Sequence, residues 1–280
     1  MKSSLTSSLS LTLFLSSALT PAIASGFRIE GQDARAFGAA LAGSPARTGD
    51  AGFAVYNPAT LAGIGQFDFT GTSTGLIVDS SYKDASGVLL GAYPTPGEPS
   101  GEGPLADAYF PSMGLGVRIN ERLVVGMSLN APFGLKSEYG SDSVLRYHAQ
   151  TSELKTIAAT PMAAYAVTPS LSVAAGVRIQ YADLSITAAS DAAGIALASS
   201  IGAFEPGTDD VYVDFNADHV AIGFVAGVQA QPLPGLKLGA SYTSKIEHDF
   251  DGDAQMDKAG SAPGGPRAGQ GRVQARPPAP

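Results

Sequence analysis

Two stretches carry the residue types from which reaction chemistry is usually assembled. Gly71-Thr72-Ser73-Thr74-Gly75 has the G-x-S-x-G spacing of a nucleophile elbow, in which a serine sits on a sharp strand-to-helix turn within reach of a histidine. Here the serine precedes Leu76-Ile77-Val78, a β-favouring run where the elbow needs a helix, and the only histidines are His148, His219 and His248. Asp249, Asp251 and Asp253 have the spacing that opens a calcium loop. The sixth position, however, is Ala254 where glycine is needed, and the twelfth is Gly260 where a bidentate glutamate belongs. These acids read instead as a solvated strand end. With no cysteine and three scattered histidines, no thiolate site, disulfide or zinc constellation can be assembled. A net charge of -8 argues against nucleic acid as a partner, because phosphate binding is driven by clustered Lys and Arg. The residues point to no enzyme and no cofactor.

The elements that would position any functional residue are strands. From Phe67 onward the chain alternates with period two in segments about as long as a tilted membrane strand requires. Tyr109, Pro111, Met113, Leu115, Val117 and Ile119 share one face, against Ser112, Gly114, Gly116, Arg118 and Asn120 on the other. Leu123, Val125, Met127 and Leu129 continue the pattern after the turn Asn120-Glu121-Arg122. Leu171 to Tyr181 alternates most regularly, and its partner precedes it across Thr168-Pro169-Ser170. A third hairpin joins Val220, Ile222, Phe224, Ala226 and Val228 to Leu236, Leu238, Ala240, Tyr242 and Ile246 through Pro232-Leu233-Pro234-Gly235. With Phe67 to Val78 this makes seven strands.

Tight turns at one end and long polar connections at the other (Asp79 to Asp107, Ala131 to Ser152, Ala189 to Asp218) are the layout of an outer-membrane barrel. The fold class is therefore all-β, a transmembrane antiparallel β-barrel, with the apolar face toward lipid and the small, polar face toward the lumen. A soluble sandwich or lipocalin-like barrel also alternates, but its outer face would carry more Lys and Glu than this one does. Arg178 lies in the polar phase and would enter the lumen, to meet a ligand carboxylate or to pair with Glu30, Asp33 or Asp50; Lys155, Lys237 and Lys245 are weaker versions of the same case. The Ala-rich stretch Asp191 to Phe204 reads as a short amphipathic helix in a loop.

Ahead of the strands, residues 1-24 read as a secretory signal, with Lys2, the apolar region Leu5 to Leu19, and the small-x-small site Ala22-Ile23-Ala24. Residues 25-66 have neither strand nor helix period, only isolated apolar anchors such as Phe27, Ile29, Phe37, Phe53 and Tyr56 among small residues, and something else must enclose them. Asn57-Pro58-Ala59 ends this stretch, since Pro58 fixes its own backbone and biases Asn57 away from helix.

Ser25-Gly26-Phe27, the run Phe37-Gly38-Ala39-Ala40-Leu41-Ala42-Gly43, Asp50-Ala51-Gly52 and Asn57-Pro58-Ala59 resemble the long-chain fatty acid transporters of the Gram-negative outer membrane, a family that includes importers of aromatic hydrocarbons. Asn130-Ala131-Pro132-Phe133-Gly134-Leu135, with Glu138-Tyr139, looks like that family's third-strand end, and Tyr242-Thr243-Ser244-Lys245-Ile246 like a recurrent family strand. The order and spacing of these motifs make the match specific. The resemblance implies a fourteen-stranded monomeric barrel in the outer membrane whose residues 25-66 form a plug, with passive uptake of a hydrophobic ligand and lateral exit at a kink in the third strand. It makes Phe27 a ligand contact, although a packing anchor fits equally well, and makes Phe133 and Leu135 lining of an external groove or simple loop packing.

Residues 67-255 thus read as a partial barrel. Residues 256-280 form a Pro/Gly/Arg-rich tail with four basic residues against one acid, expected to be disordered and consistent with out-of-frame translation. A structural or adhesive surface barrel that transports nothing, or an inactive truncated fragment, are the competing expectations.

Overall fold

A computed structural model describes residues 28-89, 93-191, 210-258 and 272-275. The signal segment, Phe27, most of the tail and, apart from Asp191, the loop helix expected over Asp191 to Phe204 lie outside the described residues. The described chain contains the short helix α1 (Ala34–Gly38) and the 3-10 turns η1 (Ser44–Ala46), η2 (Ala51–Val55) and η3 (Pro58–Gly63). Strand β1 (Phe67–Leu76) follows, then the two-residue strands β2 (Ser81–Tyr82), β3 (Val88–Leu89), β4 (Tyr93–Pro94) and β5 (Gly101–Glu102). After these come β6 (Ala108–Arg118), β7 (Leu123–Asn130), β8 (Gly134–Glu138), η4 (Val144–Tyr147), β9 (Thr151–Thr168) and β10 (Leu171–Asp191). The chain then runs through β11 (Asp210–Leu233), β12 (Leu236–Thr243), β13 (Asp251–Lys258) and β14 (Arg272–Ala275).

One antiparallel sheet in the order β1-β6-β7-β9-β10-β11-β13-β14 forms the wall, with β8 added to β9 and β12 to β11. It is a curved part of a transmembrane barrel. In that surrounding backbone groups need partners, which the ladders supply between neighbouring strands. The β10-β11 ladder is unbroken from Leu171↔Ala230 to Asp191↔Asp210. The two ends of the connection expected as a polar loop from Ala189 to Asp218, residues 189-191 and 210-218, are therefore strand, because the ladder's own hydrogen bonds outweigh the polarity of its side chains. The alternation read from the sequence holds: Tyr109, Ile222 and Phe224 are 77%, 70% and 54% exposed on the lipid face, while Ser128, Ala158 and Ala164 are buried on the lumen face. Among the described residues no helix is long and apolar enough to cross a membrane.

The face that carries small residues is covered by the N-terminal segment. That segment is a chain of short helical turns rather than structureless, and each of three turns starts at an Asx cap. Asp33 accepts from Ala36 N, Asp50 from Gly52 N and Asn57 from Ala59 N. Such caps need only Asn or Asp before small residues, a signal too local to show as a period. Ala51, Ala54, Leu61 and Ile64 from these turns form the main apolar cluster with Val124, Met162 and Ala164 of the wall. Phe53 is buried as expected of an anchor, whereas Phe37 is 60% exposed.

Wall glycines let the two layers meet. A Cβ on Gly239 would stand 2.0 Å from Pro45 O, and one on Gly227 2.0 Å from Asn57 Oδ1. Lumen-facing side chains complete the attachment: Ser172 Oγ donates to Ala59 O, Gln229 Nε2 to Ala46 O, Ser241 Oγ to Tyr56 O, and Arg118 to Ala62 O and Ile64 O. Asn57, fully buried, donates through Nδ2 to Pro45 O at 2.6 Å and to Val228 O at 3.0 Å. Its side chain therefore ties the segment to β11, a role beyond the backbone punctuation read from the triplet.

At the loop end, Arg146 on η4 is buried and pairs with Asp210 at 2.8 Å, while also donating to Pro96 O and Ser143 O. Tyr147 OH donates to Asp210 Oδ1 at 2.6 Å, and burial together with that bond pushes its phenol well above the ordinary tyrosine range. The loop between β1 and β6 is thereby fastened to the loop between β8 and β9.

Candidate functional site

Between the N-terminal segment and the wall lies a cavity of about 760 Å³. The segment contributes Ile29, Leu41, Val55 and Tyr56, and the wall contributes Phe133, Leu154, Arg178, Gln180, Ile246, His248 and Phe250. Tyr56 organises the segment's side. Its hydroxyl accepts from Gln32 N at 3.1 Å and Asp33 N at 3.2 Å and donates to Glu30 O at 3.1 Å, and burial raises its phenol. Gln32 Nε2 reaches Ile29 O at 2.6 Å and Ala131 O at 2.7 Å, so residues 28-33 are fastened to the wall where β7 ends.

At that point the wall is interrupted. β7 pairs with β9 as far as Asn130↔Ala158, and β8 resumes at Gly134↔Lys155, leaving Ala131 to Phe133 outside the ladder. The free edge is taken up locally. Ile29 N donates to Pro132 O at 2.9 Å, Arg28 bridges Phe133, and Phe133 exchanges hydrogen bonds with Thr156. Pro132 offers no amide to a ladder, which is one local reason for the break.

Residues 15-275 match the model of a family described as outer membrane protein transport protein (OMPP1/FadL/TodX). The chain belongs to that family. Relatives of this outer-membrane transport family include the long-chain fatty acid transport protein of Escherichia coli O6:H1, 25% identical over 262 residues and covering 86% of this chain and 57% of the relative. The protein of the same description from Salmonella typhi is 24% identical over 259 residues, covering 88% and 58%. In fold, the chain is similar to the crystal structure of a Pseudomonas aeruginosa FadL homologue, with TM-score 0.74 and 23% identity over 84% of this chain and 56% of that one. It is also similar to the toluene transporter TbuX of Ralstonia pickettii, with TM-score 0.52 and 21% identity over 74% and 55%. The chain spans a little over half the length of the relatives it matches.

Several residues singled out from the sequence gather at the cavity of this FadL-type wall, and several do not. Arg178 and Phe133 line it, whereas Leu135 lies on β8 opposite Leu154 and is not among the lining residues. Arg178 does not pair with an acid of the N-terminal segment. Glu30 is held by Arg28 at 2.9 Å, Asp50 by Arg35 and Thr70, and Asp33 caps α1, so Arg178 has no ion pair among the described residues and its Nε is buried without a hydrogen-bond partner. Lys155 points to the lipid face and pairs with Glu153, because it falls in the odd, outward phase of β9. Lys237 reaches Thr48 Oγ1 at 2.6 Å, and Lys245 is among the residues lining the cavity while it pairs with Glu247. Ile246 faces the cavity instead of sharing the outward face of Tyr242. Sequence reading marks Tyr56 only as an apolar anchor and misses Gln32 and Gln180 as site residues, since polar residues spaced across distant segments converge only through strand register.

Proposed function

We propose that a barrel built on this chain takes up long-chain fatty acids or similar hydrophobic molecules across the Gram-negative outer membrane by diffusion, without cofactor or energy source. The carrying observation is the cavity itself, where Ile29, Leu41, Val55, Phe133, Leu154, Ile246 and Phe250 share a mixed lining with Arg178, which has no ion pair among the described residues. A hexadecyl chain carries about fifteen apolar carbons at about 0.8 kcal/mol each, an upper bound near ~12 kcal/mol for full burial. A carboxylate paired with an arginine in a partly wet site adds only about 1 kcal/mol. Affinity therefore comes from the apolar lining, and Arg178 sets which end of the ligand faces inward.

In this reading residues 25-66 act as a plug, Phe27 and Phe133 touch the ligand, and Leu135 supports the loop beside them. The gap at Ala131 to Phe133 is the lateral exit, for which the ladder interruption and its attachment to residues 28-33 are the support. Uptake of labelled oleate and of toluene by a strain lacking its own transporter and carrying this gene tests the proposal. Normal surface expression with no uptake of either compound would refute it and favour a structural or adhesive barrel.

A further inference from the structure

The wall is interrupted a second time. β12 pairs with β11 up to Val225↔Thr243, and β13 resumes at Asp218↔Asp251. Residues 219-224 thus face residues 244-250, one more on the outer strand, which is the signature of a bulge. A one-residue slip exchanges the two faces of a strand. Before it, Lys237 and Ser241 reach the N-terminal segment while Leu238 and Tyr242 lie bare. After it, Ser244, Ile246, His248 and Phe250 line the cavity, together with the largely exposed Lys245, which pairs with Glu247.

The turned-in segment has a seat. A Cβ on Gly223 would fall 2.7 Å from both Ile246 Cγ1 and Ser244 Oγ, so only glycine admits them. Ser244 N donates to Phe224 O and Phe224 N to Ser244 Oγ, both at 2.9 Å. His248 lies 3.1 Å from Gln180 Nε2, edge-on to His219 and stacked on Phe250. Beside it, β10 presents the polar Arg178 and Gln180 to the same cavity.

We propose that residues 244-250 are the selecting wall of this cavity: Ile246, seated over Gly223, limits the length of apolar chain the site accepts. This rests on the cavity being the binding site for a hydrophobic ligand. Regular alternation would have sent Ile246 into lipid, and the bulge supplies bulk above Gly223, where β11 itself has no side chain.

The chain has no cysteine, so single cysteines can be placed without background. In the full chain reconstituted in nanodiscs, Ile246→Cys and His248→Cys should react with a charged maleimide and Leu238→Cys and Tyr242→Cys should not, and oleate should protect the first pair. Binding of saturated fatty acids from ten to eighteen carbons then reads selection. Ile246→Ala should raise the ratio of longest-chain to shortest-chain affinity about tenfold, since each added buried methylene is worth roughly fourfold, and Ile246→Phe should lower it. Labelling at 246 as slow as at 242 overturns the inference. So does a wild-type chain that binds the series with a ratio unchanged in both variants, while the proposed function stands. A wild-type chain that binds no member of the series overturns both.

Discussion

Replacing Asn57 by alanine removes three hydrogen bonds at once: the cap accepted from Ala59 N, and the donations to Pro45 O and Val228 O. Losing the cap costs about 1 kcal/mol, and each buried carbonyl left without its donor costs about 1 kcal/mol more. The sum of about 3 kcal/mol, at 1.4 kcal/mol per factor of ten, corresponds to roughly a hundredfold rise in opening of the N-terminal segment from the wall. Amide hydrogen exchange over residues 51-64, read by mass spectrometry in detergent, measures that opening directly. Asn57→Asp should be worse than Asn57→Ala at neutral pH. It keeps the cap acceptor but turns a carboxylate toward two carbonyl oxygens in a site with no solvent exposure. Acidification should then partly rescue Asn57→Asp, because the protonated acid regains a donor, and should not rescue Asn57→Ala. Exchange in Asn57→Ala within threefold of wild type, or Asn57→Asp exchanging more slowly than Asn57→Ala, would refute the role assigned to this side chain.

Gly227→Ala should loosen the same contact from the other side, by about 1–3 kcal/mol, because its Cβ would enter Asn57 Oδ1 and Pro58; the same exchange measurement checks it. Arg146→Met leaves Asp210 buried without its cation and should cost about 3–5 kcal/mol in the loop cap, seen as faster proteolysis within residues 93-107 and 139-150, with Arg146→Lys recovering only part. The Tyr147 phenol is raised in the folded state, so its contribution is fully present below the unfolded value near ~10 and falls away as pH rises past it; loop exchange, corrected for the intrinsic rate, should increase between pH 9 and 11 and lose that increase in Tyr147→Phe. Arg178→Met should weaken fatty acid binding about fivefold and leave toluene binding unchanged, which titration with both ligands would show.

Alternation made the wall legible because a period of two survives in any single strand, and the faces assigned to Tyr109, Val125 and Ile179 are the ones the barrel uses. The candidate site was legible only in part. Arg178 fell in a clear polar phase, but which acids would meet it depended on contacts inside the N-terminal segment, where Arg28 and Arg35 had already taken Glu30 and Asp50. Lys155 was misplaced for a simpler reason: its strand's phase is set by the buried Thr156 and Ala158 rather than by its own charge.

By itself the order of residues determined the class of the molecule: strands with one apolar face, tight turns at one end, and an Asn-Pro-Ala break ahead of them. Tertiary structure decided what fills and shapes the lumen. The helical turns at residues 34-63 form because Asx caps and wall glycines allow close approach, and neither is periodic. Ile246 turns inward because one extra residue between Thr243 and Asp251 inverts the strand, a slip that can be counted only against the register of β11.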